Sequence, residues 1–255
     1  MQIKGKTILI TGGASGIGLE AAKQFLANGA QVIITGRNQD KLDAVKKQHP
    51  SITIIRSDVT EAEDAQALFN QVKAMGGIDV LYNNAGVVSP PKNLGMPNDA
   101  HAEAAKYEMD INYLGVIRLN NLFMDMLKSK PEAAIINTSS ILSYQSFNLA
   151  PTYSASKVAV RFYTESLRNH LQIINSTVKV FEILPPLVAT DMADGLPAKA
   201  ISPTTLVNHL IAGVKRNQYT IRVGDTKVIY FFSRFFPKIA HKILNSAQTT
   251  QMLRT

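Results

Sequence analysis

The sequence of 255 residues predicts an α/β fold in which a doubly wound parallel sheet of about seven strands is covered by helices on both faces. Continuous apolar runs alternate with segments of helical periodicity, which is the pattern of parallel strands joined by crossover helices. The first apolar run leads directly into a glycine-rich turn that opens a helix. A chain of this length commonly forms one α/β domain, so we expect residues 1–255 to fold as a unit, with 226–255 as a basic and aromatic C-terminal extension.

Each element follows from the pattern in order along the chain. The predicted strands are residues 7–11, 31–35, 52–56, 78–82, 133–138, 178–184 and 219–223. The predicted helices are residues 16–28, 38–48, 61–75, 100–128, 151–174 and 203–216. Ser202 followed by Pro203 is typical of an N-cap with proline in the first turn. Right-handed crossovers then put the ligand crevice at the carboxyl ends of the strands.

Composition excludes several classes of protein. Hydrophobic residues make up 45% and charged residues 18% of the chain, which is typical of a folded domain rather than a disordered one. No segment approaches the roughly 20 apolar residues of a membrane-spanning helix, and the first residues lack a signal-peptide core, so we expect a cytoplasmic protein. The chain has no cysteine, and its five histidines lack metal-ligand spacing, so no metal site is expected.

The net charge of +8 is concentrated near the C-terminus, where eight basic residues and one acidic residue follow Gly213. The charge lies outside any recognised nucleic-acid-binding motif, so we expect no nucleic-acid partner. Aromatic residues crowd the segment 228–237, and Pro237 should break a helix there. We expect this tail to pack over the substrate side with its aromatic residues buried in the protein or its oligomer. Peripheral contact with a membrane surface is the alternative that the sequence favours less.

The glycine-rich turn has the sequence Thr-Gly-Gly-Ala-Ser-Gly-Ile-Gly over residues 11–18. Glycine permits positive φ angles and close approach of a ligand to the backbone, and the helix that follows directs its N–H groups at the crevice. An ordinary tight turn would also use glycine, but the position between a strand and a helix favours a pyrophosphate site.

The end of the second strand bears on the choice of cofactor. An Asp or Glu at this point would bond the ribose hydroxyls of NAD and repel the 2′-phosphate of NADP. Gly36 provides no carboxylate, and Arg37 offers a planar fork suited to phosphate. We therefore expect NADP(H) in preference to NAD(H). The alternative is that Arg37 only solvates the turn while Asn38 caps the next helix.

Tyr153 and Lys157 lie one helical turn apart on one face of a predicted helix. A phenol with a pKa of about 10 is a poor base at neutral pH, and a neighbouring cation should lower that pKa. This spacing is common by chance, but Ser140 at the end of the fifth strand and Asn112 on the preceding helix accompany it. Ser139 competes for the role of Ser140, and only one of two adjacent strand residues can face the crevice.

These motifs resemble the short-chain dehydrogenase/reductase family over about residues 5–225, through the T-G-x-x-x-G-x-G spacing, the sequence Asn-Asn-Ala-Gly at 83–86 and the ordered set Asn112, Ser140, Tyr153 and Lys157. The resemblance implies a Rossmann-like fold and hydride transfer between a nicotinamide and a carbonyl or alcohol substrate. Tyr153 would be the general acid/base, Ser140 would bind the substrate oxygen, and Asn112 would hold a water that links Lys157 to solvent. A non-catalytic NADP(H)-binding sensor on the same fold is the competing function.

The resemblance also implies a set of cofactor contacts: Gly12, Ser15, Gly16, Ile17, Gly18, Arg37, Asp58, Val59, Asn84, Ala85, Gly86, Tyr153, Lys157, Pro185, Val188 and Thr190. Capping of the following helix explains Asp58 equally well. Ser15 stands where many NADP-preferring relatives have a basic residue, and Pro186 replaces a usual glycine, which leaves the course of that loop open.

The substrate is expected to be a small molecule in a mainly apolar pocket with candidate wall residues Tyr144, Phe147, Leu149, Leu187 and Met192. Relatives of this size imply a homodimer or homotetramer that pairs the long helices beginning near Ala100 and Pro151.

Overall fold

The computed structural model describes residues 1–91, 93–193 and 200–253, so residues 254 and 255 of the predicted C-terminal extension lie outside the described residues. One parallel sheet contains β1 (Thr7–Thr11), β2 (Gln31–Gly36), β3 (Thr53–Arg56), β4 (Val80–Asn83), β5 (Ala134–Thr138), β6 (Lys179–Leu184) and β7 (Thr220–Arg222). The strand order is β3-β2-β1-β4-β5-β6-β7, which confirms the predicted doubly wound sheet. The winding reverses between β1 and β4, and this places the crevice at the carboxyl ends of those strands.

Ten α-helices occur in the described residues. They are α1 (Gly16–Ala27), α2 (Gln39–Gln48), α3 (Ala62–Ala74), α4 (Ala100–Met109), α5 (Gly115–Lys128), α6 (Pro151–Ile173), α7 (Pro203–Lys215), α8 (Asp225–Phe235), α9 (Pro237–Leu244) and α10 (Ala247–Gln251). The predicted cap of α7 is confirmed, because the Ser202 hydroxyl accepts a 3.0 Å hydrogen bond from the Thr205 amide. The predicted break at Pro237 is also confirmed, since α8 ends two residues before it and α9 begins with it.

Both faces of the sheet are buried. Successive strand residues point to opposite faces, so Ile8 and Ile10 pack with apolar residues of α1 and α7, whereas Leu9 packs with those of α3 and α5. The sheet therefore has one apolar core on each side. Polar side chains such as those of Thr11, Thr35 and Asn83 lie at the carboxyl ends of the strands.

The ends of some elements differ from the prediction. The third and fourth strands begin later than expected, although Ile52 and Ile78 are fully buried. The Ile52 amide donates instead to the carbonyl of His49 in a turn, at 3.0 Å. The predicted helix over 100–128 contains a π-helical turn at Asp110–Leu114 between α4 and α5. Apolar periodicity predicts which residues are buried, but the ends of strands and helices are defined by backbone hydrogen bonds, which the periodicity does not specify.

The tail helices differ from the prediction in the exposure of their aromatic residues. Ile229 on α8 and Ala240 on α9 are buried. In contrast, Phe231, Phe235 and Phe236 are 51%, 63% and 50% exposed. The expectation that the aromatic residues are buried within the chain itself is therefore wrong for these three. No helix in the described ranges combines the length and the apolar character needed to cross a membrane.

Candidate active site

Two cavities open along the carboxyl ends of the strands, and Gly86 lines both of them. The first, the turn cavity, has a volume of about 220 Å³ and lies among the ends of β1, β2 and β3. The second, the tyrosine cavity, has a volume of about 540 Å³ and is bounded by the ends of β5 and β6 and by the tail helices. The shared residue makes the two cavities neighbours in one crevice.

The glycine-rich turn brings two loops into backbone contact. Gly12 and Gly16 have φ angles of 63° and 52°, which a residue with a side chain rarely adopts. A Cβ atom at Gly12 would lie 2.9 Å from the Cα atom of Ala85, so only glycine fits. Ser15 is the N-cap residue of α1 and lines the turn cavity, so the unpaired N–H groups of the first helical turn are directed at this end of the crevice.

Gly18 differs from its predicted role as a cofactor contact. A Cβ atom there would lie 2.2 Å from the Gly12 carbonyl oxygen, and the residue lines neither of the two cavities. Gly18 instead allows α1 to pack against the turn that precedes it. Gly16 also lines neither cavity and faces Thr190, whose Cγ2 atom would be 3.1 Å from a Cβ at that position, whereas Ile17 lines the tyrosine cavity.

The turn cavity contains polar groups that the protein leaves unsatisfied. The hydroxyls of Thr35 and Ser57 are buried in its lining and have no hydrogen-bond partner among the described residues. Buried polar groups normally have partners, so these hydroxyls indicate a place where a polar ligand completes the site. Together with the glycine cradle, they fit a phosphate-containing dinucleotide.

Two cationic side chains line the turn cavity. Arg37 donates a 3.1 Å hydrogen bond to the Tyr107 hydroxyl, and Asn38 caps α2 by accepting a 2.8 Å hydrogen bond from the Lys41 amide. Asn38 is therefore the cap, as the alternative expected, and Arg37 lines the cavity, so its role towards a phosphate stays a prediction. Lys41 also lines it, although it was not among the predicted cofactor contacts. Its position three residues after the cap is the signal that places it in the first helical turn.

Asp58 does not cap the following helix. The N-cap residue of α3 is Glu61, so that alternative is wrong. Asp58 Oδ1 accepts hydrogen bonds from the amide and the hydroxyl of Thr60 at 2.9 Å and 2.8 Å, which holds the carboxylate in a local turn at the cavity wall. Its other oxygen lies 3.9 Å from Arg37 Nε, and Val59 lines the same wall.

The segment 83–86 is tied to the strands on either side of it. The amides of Asn84 and Ala85 both donate to the Thr11 hydroxyl at 3.0 Å, which joins this segment to the end of β1. The Asn83 side chain is buried and donates to Asn137 on β5 at 2.8 Å. These contacts fix the loop at the point where the two cavities meet.

Asn112 lies in the π-helical turn and is buried. Its Oδ1 atom accepts from the Val87 amide at 2.8 Å, and its Nδ2 atom donates to the Val87 carbonyl at 2.9 Å and to the Ser156 hydroxyl at 3.0 Å. Both amide hydrogens are therefore used within the protein. The side chain lines neither cavity, and it offers a water only the second acceptor site of Oδ1.

Ser140, Tyr153 and Lys157 all line the tyrosine cavity. The Ser140 hydroxyl accepts a 3.1 Å hydrogen bond from the Leu142 amide at the start of a short 3₁₀ turn. The hydroxyl of the neighbouring Ser139 is turned away, because it donates to the buried Glu182 carboxylate at 2.6 Å. The geometry therefore brings Ser140, and not the Ser139 hydroxyl, to Tyr153 and Lys157.

The pKa values of this pair differ from the expectation. Burial raises the pKa of Tyr153 to about 12, against the opposing effect of its hydrogen bond with Ser140. Burial also lowers the pKa of Lys157 to about 8. The expected lowering of the tyrosine pKa by the lysine is thus not observed, because desolvation disfavours the charged form of each group.

The loop after β6 closes the tyrosine cavity. The Pro185 carbonyl accepts a 2.8 Å hydrogen bond from the Ile141 amide, and Val188 forms a parallel bridge with Ile201. Pro185, Val188 and Thr190 all line the cavity. Pro186 lines it as well, so the replacement of a usual glycine leaves this loop at the crevice.

The cavity wall is mainly apolar, and much of it comes from the tail. Of the five predicted wall residues, Phe147, Leu187 and Met192 line it. Tyr144 does not, because its hydroxyl accepts a 2.7 Å hydrogen bond from Arg222, and Leu149 is buried elsewhere in the fold. The tail supplies further wall residues that were not predicted, and these are Asp225, Val228, Ile229, Ile243, Leu244, Ser246 and Thr249.

Comparisons with known proteins agree with this geometry. A model of the short chain dehydrogenase family matches residues 6–200. The uncharacterized oxidoreductase DltE of Bacillus subtilis is 32% identical over 228 residues, which cover 87% of this chain and 89% of DltE. A 3alpha-hydroxysteroid dehydrogenase of Mediterraneibacter gnavus is 32% identical over 210 residues, which cover 80% of this chain and 82% of that enzyme.

A solved structure extends the agreement to the fold. The crystal structure of a short chain dehydrogenase from Burkholderia cenocepacia in complex with NADP matches with a TM-score of 0.84 and 28% sequence identity. The match covers 96% of this chain and 99% of the other. The chain described here therefore belongs to the short-chain dehydrogenase/reductase family of oxidoreductases.

Proposed function

We propose that this chain is an NADP(H)-dependent oxidoreductase that transfers a hydride between the nicotinamide and the carbonyl or alcohol carbon of a mainly apolar small molecule. The observation that carries the proposal is the convergence of Ser140, Tyr153 and Lys157 on one cavity that adjoins the glycine cradle. The Burkholderia relative was crystallised with NADP, which supports a nicotinamide cofactor here.

The cofactor would be held along the whole crevice. Backbone N–H groups at Ser15 and Gly16 suit the pyrophosphate, and Asp58 and Val59 suit the adenine end. The remaining proposed contacts are Gly12, Ile17, Asn84, Ala85, Gly86, Tyr153, Lys157, Pro185, Val188 and Thr190, which all line one of the cavities. When bound, the nicotinamide supplies or accepts the hydride.

NADP(H) is proposed over NAD(H) because of the charge at the turn cavity. Arg37 and Lys41 both line it, and no carboxylate stands at the end of β2 to repel a 2′-phosphate. The Asp58 carboxylate lies 3.9 Å from Arg37 Nε, which is a long distance for an ion pair. A 2′-phosphate would therefore compete with only a weak partner for the Arg37 guanidinium. Many NADP-preferring relatives have a second basic residue in the glycine-rich turn, where this chain has Ser15. Here Lys41, in the first turn of α2, would take that role.

Proton transfer is assigned to Tyr153. With a pKa of about 12, its phenol carries a proton at neutral pH and can serve as the acid in carbonyl reduction. Ser140 and Tyr153 would donate hydrogen bonds to the substrate oxygen and stabilise the charge that develops on it. The Lys157 cation would then stabilise the phenolate, and Asn112 would position the loop at Val87 and offer Oδ1 to a proton-carrying water.

The tyrosine cavity supports an apolar substrate. Its volume of about 540 Å³ would be shared by the nicotinamide end of the cofactor and the substrate, and its aliphatic and aromatic lining suits an apolar alcohol or ketone. One relative is named a 3alpha-hydroxysteroid dehydrogenase, and a substrate of that kind would be compatible with such a wall. The few polar groups of the tail, Asp225, Ser246 and Thr249, would then distinguish among apolar substrates.

The assembly and the domain organisation are part of the proposal. The tail helices complete the cavity wall, which supports a single domain in which residues 226–255 serve the substrate site. We propose a homodimer or homotetramer that uses α4, α5 and α6, where Leu114 and Phe162 are exposed. We also propose a cytoplasmic location.

The test is oxidation of NADPH with a panel of apolar ketones and aldehydes, including a ketosteroid, against a panel of sugars. We expect turnover with apolar members and a large loss of turnover in Ser140→Ala. Ser139→Ala is the matched control, because Ser139 also lines the cavity but its hydroxyl donates to Glu182. Tight binding of NADPH without turnover of any compound would favour the non-catalytic sensor instead.

A further inference from the structure

The outer surface of the two longer tail helices is apolar although it faces solvent. The exposed apolar residues on this surface are Val228, Phe231, Phe235, Phe236, Ile239 and Ile243, and we call them the tail face. They recur at helical spacing, so each helix presents one apolar stripe. Patches of this kind on a folded protein mark a site of interaction.

The aromatic residues of the tail face form one contiguous group that ends at Phe236, directly before the break at Pro237. The ring centres of Phe231 and Phe235 are 5.1 Å apart, and those of Phe231 and Phe236 are 6.4 Å apart. Phe236 is the C-cap residue of α8 and the N-cap residue of α9, so this aromatic group extends from α8 to the start of α9. Both helices contribute to a single apolar surface.

Positive charge accompanies the tail face. Lys227, Arg234, Lys238 and Lys242 are exposed on the same two helices, and the sequence has no Asp or Glu after Asp225. All five ion pairs formed within the described ranges involve other residues. An apolar stripe with unopposed cations is complementary to a surface that is both apolar and anionic.

We propose that the tail face docks on an anionic lipid surface. Its phenylalanine and isoleucine side chains would enter the boundary between headgroups and acyl chains, and the four cations would contact the lipid headgroups. The helices are 11 and 8 residues long, so they lie along the surface rather than cross it.

A second copy of the chain fits this surface less well. A twofold interface brings the same patch of each subunit together, so residue types must complement themselves. Here it would set four cations against four cations with no carboxylate on either helix after Asp225 to neutralise them. Like charges placed across an interface oppose association, which favours the lipid over the second copy.

Docking through this surface would place the tyrosine cavity at the membrane. Val228 and Ile243 are each 49% exposed and also line that cavity, so the tail face adjoins its wall. An apolar substrate dissolved in the bilayer would then reach the cavity with little exposure to water. This last consequence rests on the proposed function, whereas docking itself does not.

The test is sedimentation of the full chain with vesicles of phosphatidylcholine alone or mixed with phosphatidylglycerol, without cofactor or substrate. We expect binding only to the mixed vesicles, and release as salt is raised towards about 1 M, where the screening length falls to about 3 Å. The double variant Lys238→Ala, Lys242→Ala should bind about 25-fold more weakly, because each cation near an anionic surface contributes a factor of about five. The double variant Phe231→Ser, Phe235→Ser should lose more than about 10-fold, since each ring loses apolar burial.

Matched controls are available elsewhere on the surface. Ile173 and Ile174 are 74% and 58% exposed at the end of α6 remote from Tyr153, and their serine variants should bind like the wild type. Lys47→Ala with Lys73→Ala removes the same charge from α2 and α3. Thermal unfolding shows whether each variant folds. If the double phenylalanine variant does not fold, vesicle binding by the double lysine variant tests the proposal.

Three results would overturn the proposal. They are the absence of vesicle binding by the wild type, equal binding to vesicles with and without phosphatidylglycerol, and equal weakening by the control variants. A change from oligomer to monomer in the phenylalanine variant, with no vesicle binding by the wild type, would assign the tail face to a second copy. None of these outcomes bears on NADPH oxidation, so the proposed function stands or falls separately.

Discussion

The Lys157 ammonium lies 5.5 Å from the centre of the Tyr153 ring and donates a 3.0 Å hydrogen bond to the Thr138 carbonyl. The lysine is 3% exposed, and it is held by the end of β5 against the tyrosine. Burial moves the two pKa values apart, because it raises the pKa of Tyr153 to about 12 and lowers that of Lys157 to about 8, and it does so without reversing their neutral-pH charges. The pair is therefore a protonated phenol beside a cation.

The pH dependence of carbonyl reduction should follow the lysine. Its pKa of about 8 means that the charge is present at lower pH and is lost as pH rises through that value. Because the cation stabilises the phenolate that proton donation leaves, we expect kcat for reduction to fall above about pH 8. Lys157→Arg keeps its charge and should abolish the fall. A wild-type kcat that is constant to about pH 10 would contradict this role.

Stability should respond to Lys157 in the opposite direction to activity. Its pKa is lowered on folding from its ordinary value of 10.5 to about 8, so the unfolded chain binds more protons between these pH values and stability rises with pH there. Lys157→Met removes a buried charge but also the hydrogen bond to Thr138. We expect a net increase of about 1 kcal/mol in the free energy of unfolding at pH 7, with activity lost. Urea unfolding measures the free energy of unfolding of the wild type and of Lys157→Met. A clear loss of stability in the variant would show that the lysine is structurally required.

Cofactor preference should depend on the two cations of the turn cavity. Arg37→Asp and Lys41→Ala should each weaken NADPH binding by about 10-fold or more, because a charge-assisted hydrogen bond to phosphate is lost. NADH binding should change little in Lys41→Ala. Lys47→Ala, further along α2 and away from the cavity lining, is the matched control. A wild-type protein that already binds NADH more tightly in fluorescence titrations would refute the proposed preference.

The oligomer should depend on the exposed surface of α6. Phe162 is 61% exposed at the middle of this helix, where an apolar ring in water is unfavourable for an isolated chain. We expect light scattering to give a dimer or tetramer for the wild type and a monomer for Phe162→Glu. Met75→Glu, which is 55% exposed at the end of α3 and outside the proposed interface, controls for the added charge. A monomeric wild type at micromolar concentration would contradict the proposed assembly.

Much of the fold could be predicted because its signals are local. Buried parallel strands are continuous apolar runs, and the turn after β1 requires glycine at Gly12, where a Cβ would collide with Ala85. The spacing of Tyr153 and Lys157 likewise placed both on one helix face. These features depend on a few consecutive residues, so the sequence alone contains them.

Other features depend on contacts between distant segments. Lys41 reaches the turn cavity only because α2 starts beside β2, and no motif marks it. The composition of the tail predicted that it packs over the substrate side, but which of its residues line the cavity depends on how its helices pack, and periodicity cannot specify that packing. The pKa of Tyr153 was expected to fall beside a cation, but the burial that raises it is a property of the assembled site.

The most direct test of the account is Tyr153→Phe. The substitution removes the hydroxyl and keeps the ring, so NADPH affinity should remain close to that of the wild type while turnover falls by roughly 10² or more, the scale of lost general acid catalysis. Titration of NADPH and steady-state oxidation with an accepted ketone measure the two quantities on the same preparation. Wild-type turnover in the variant would contradict the assignment of Tyr153 as the proton donor.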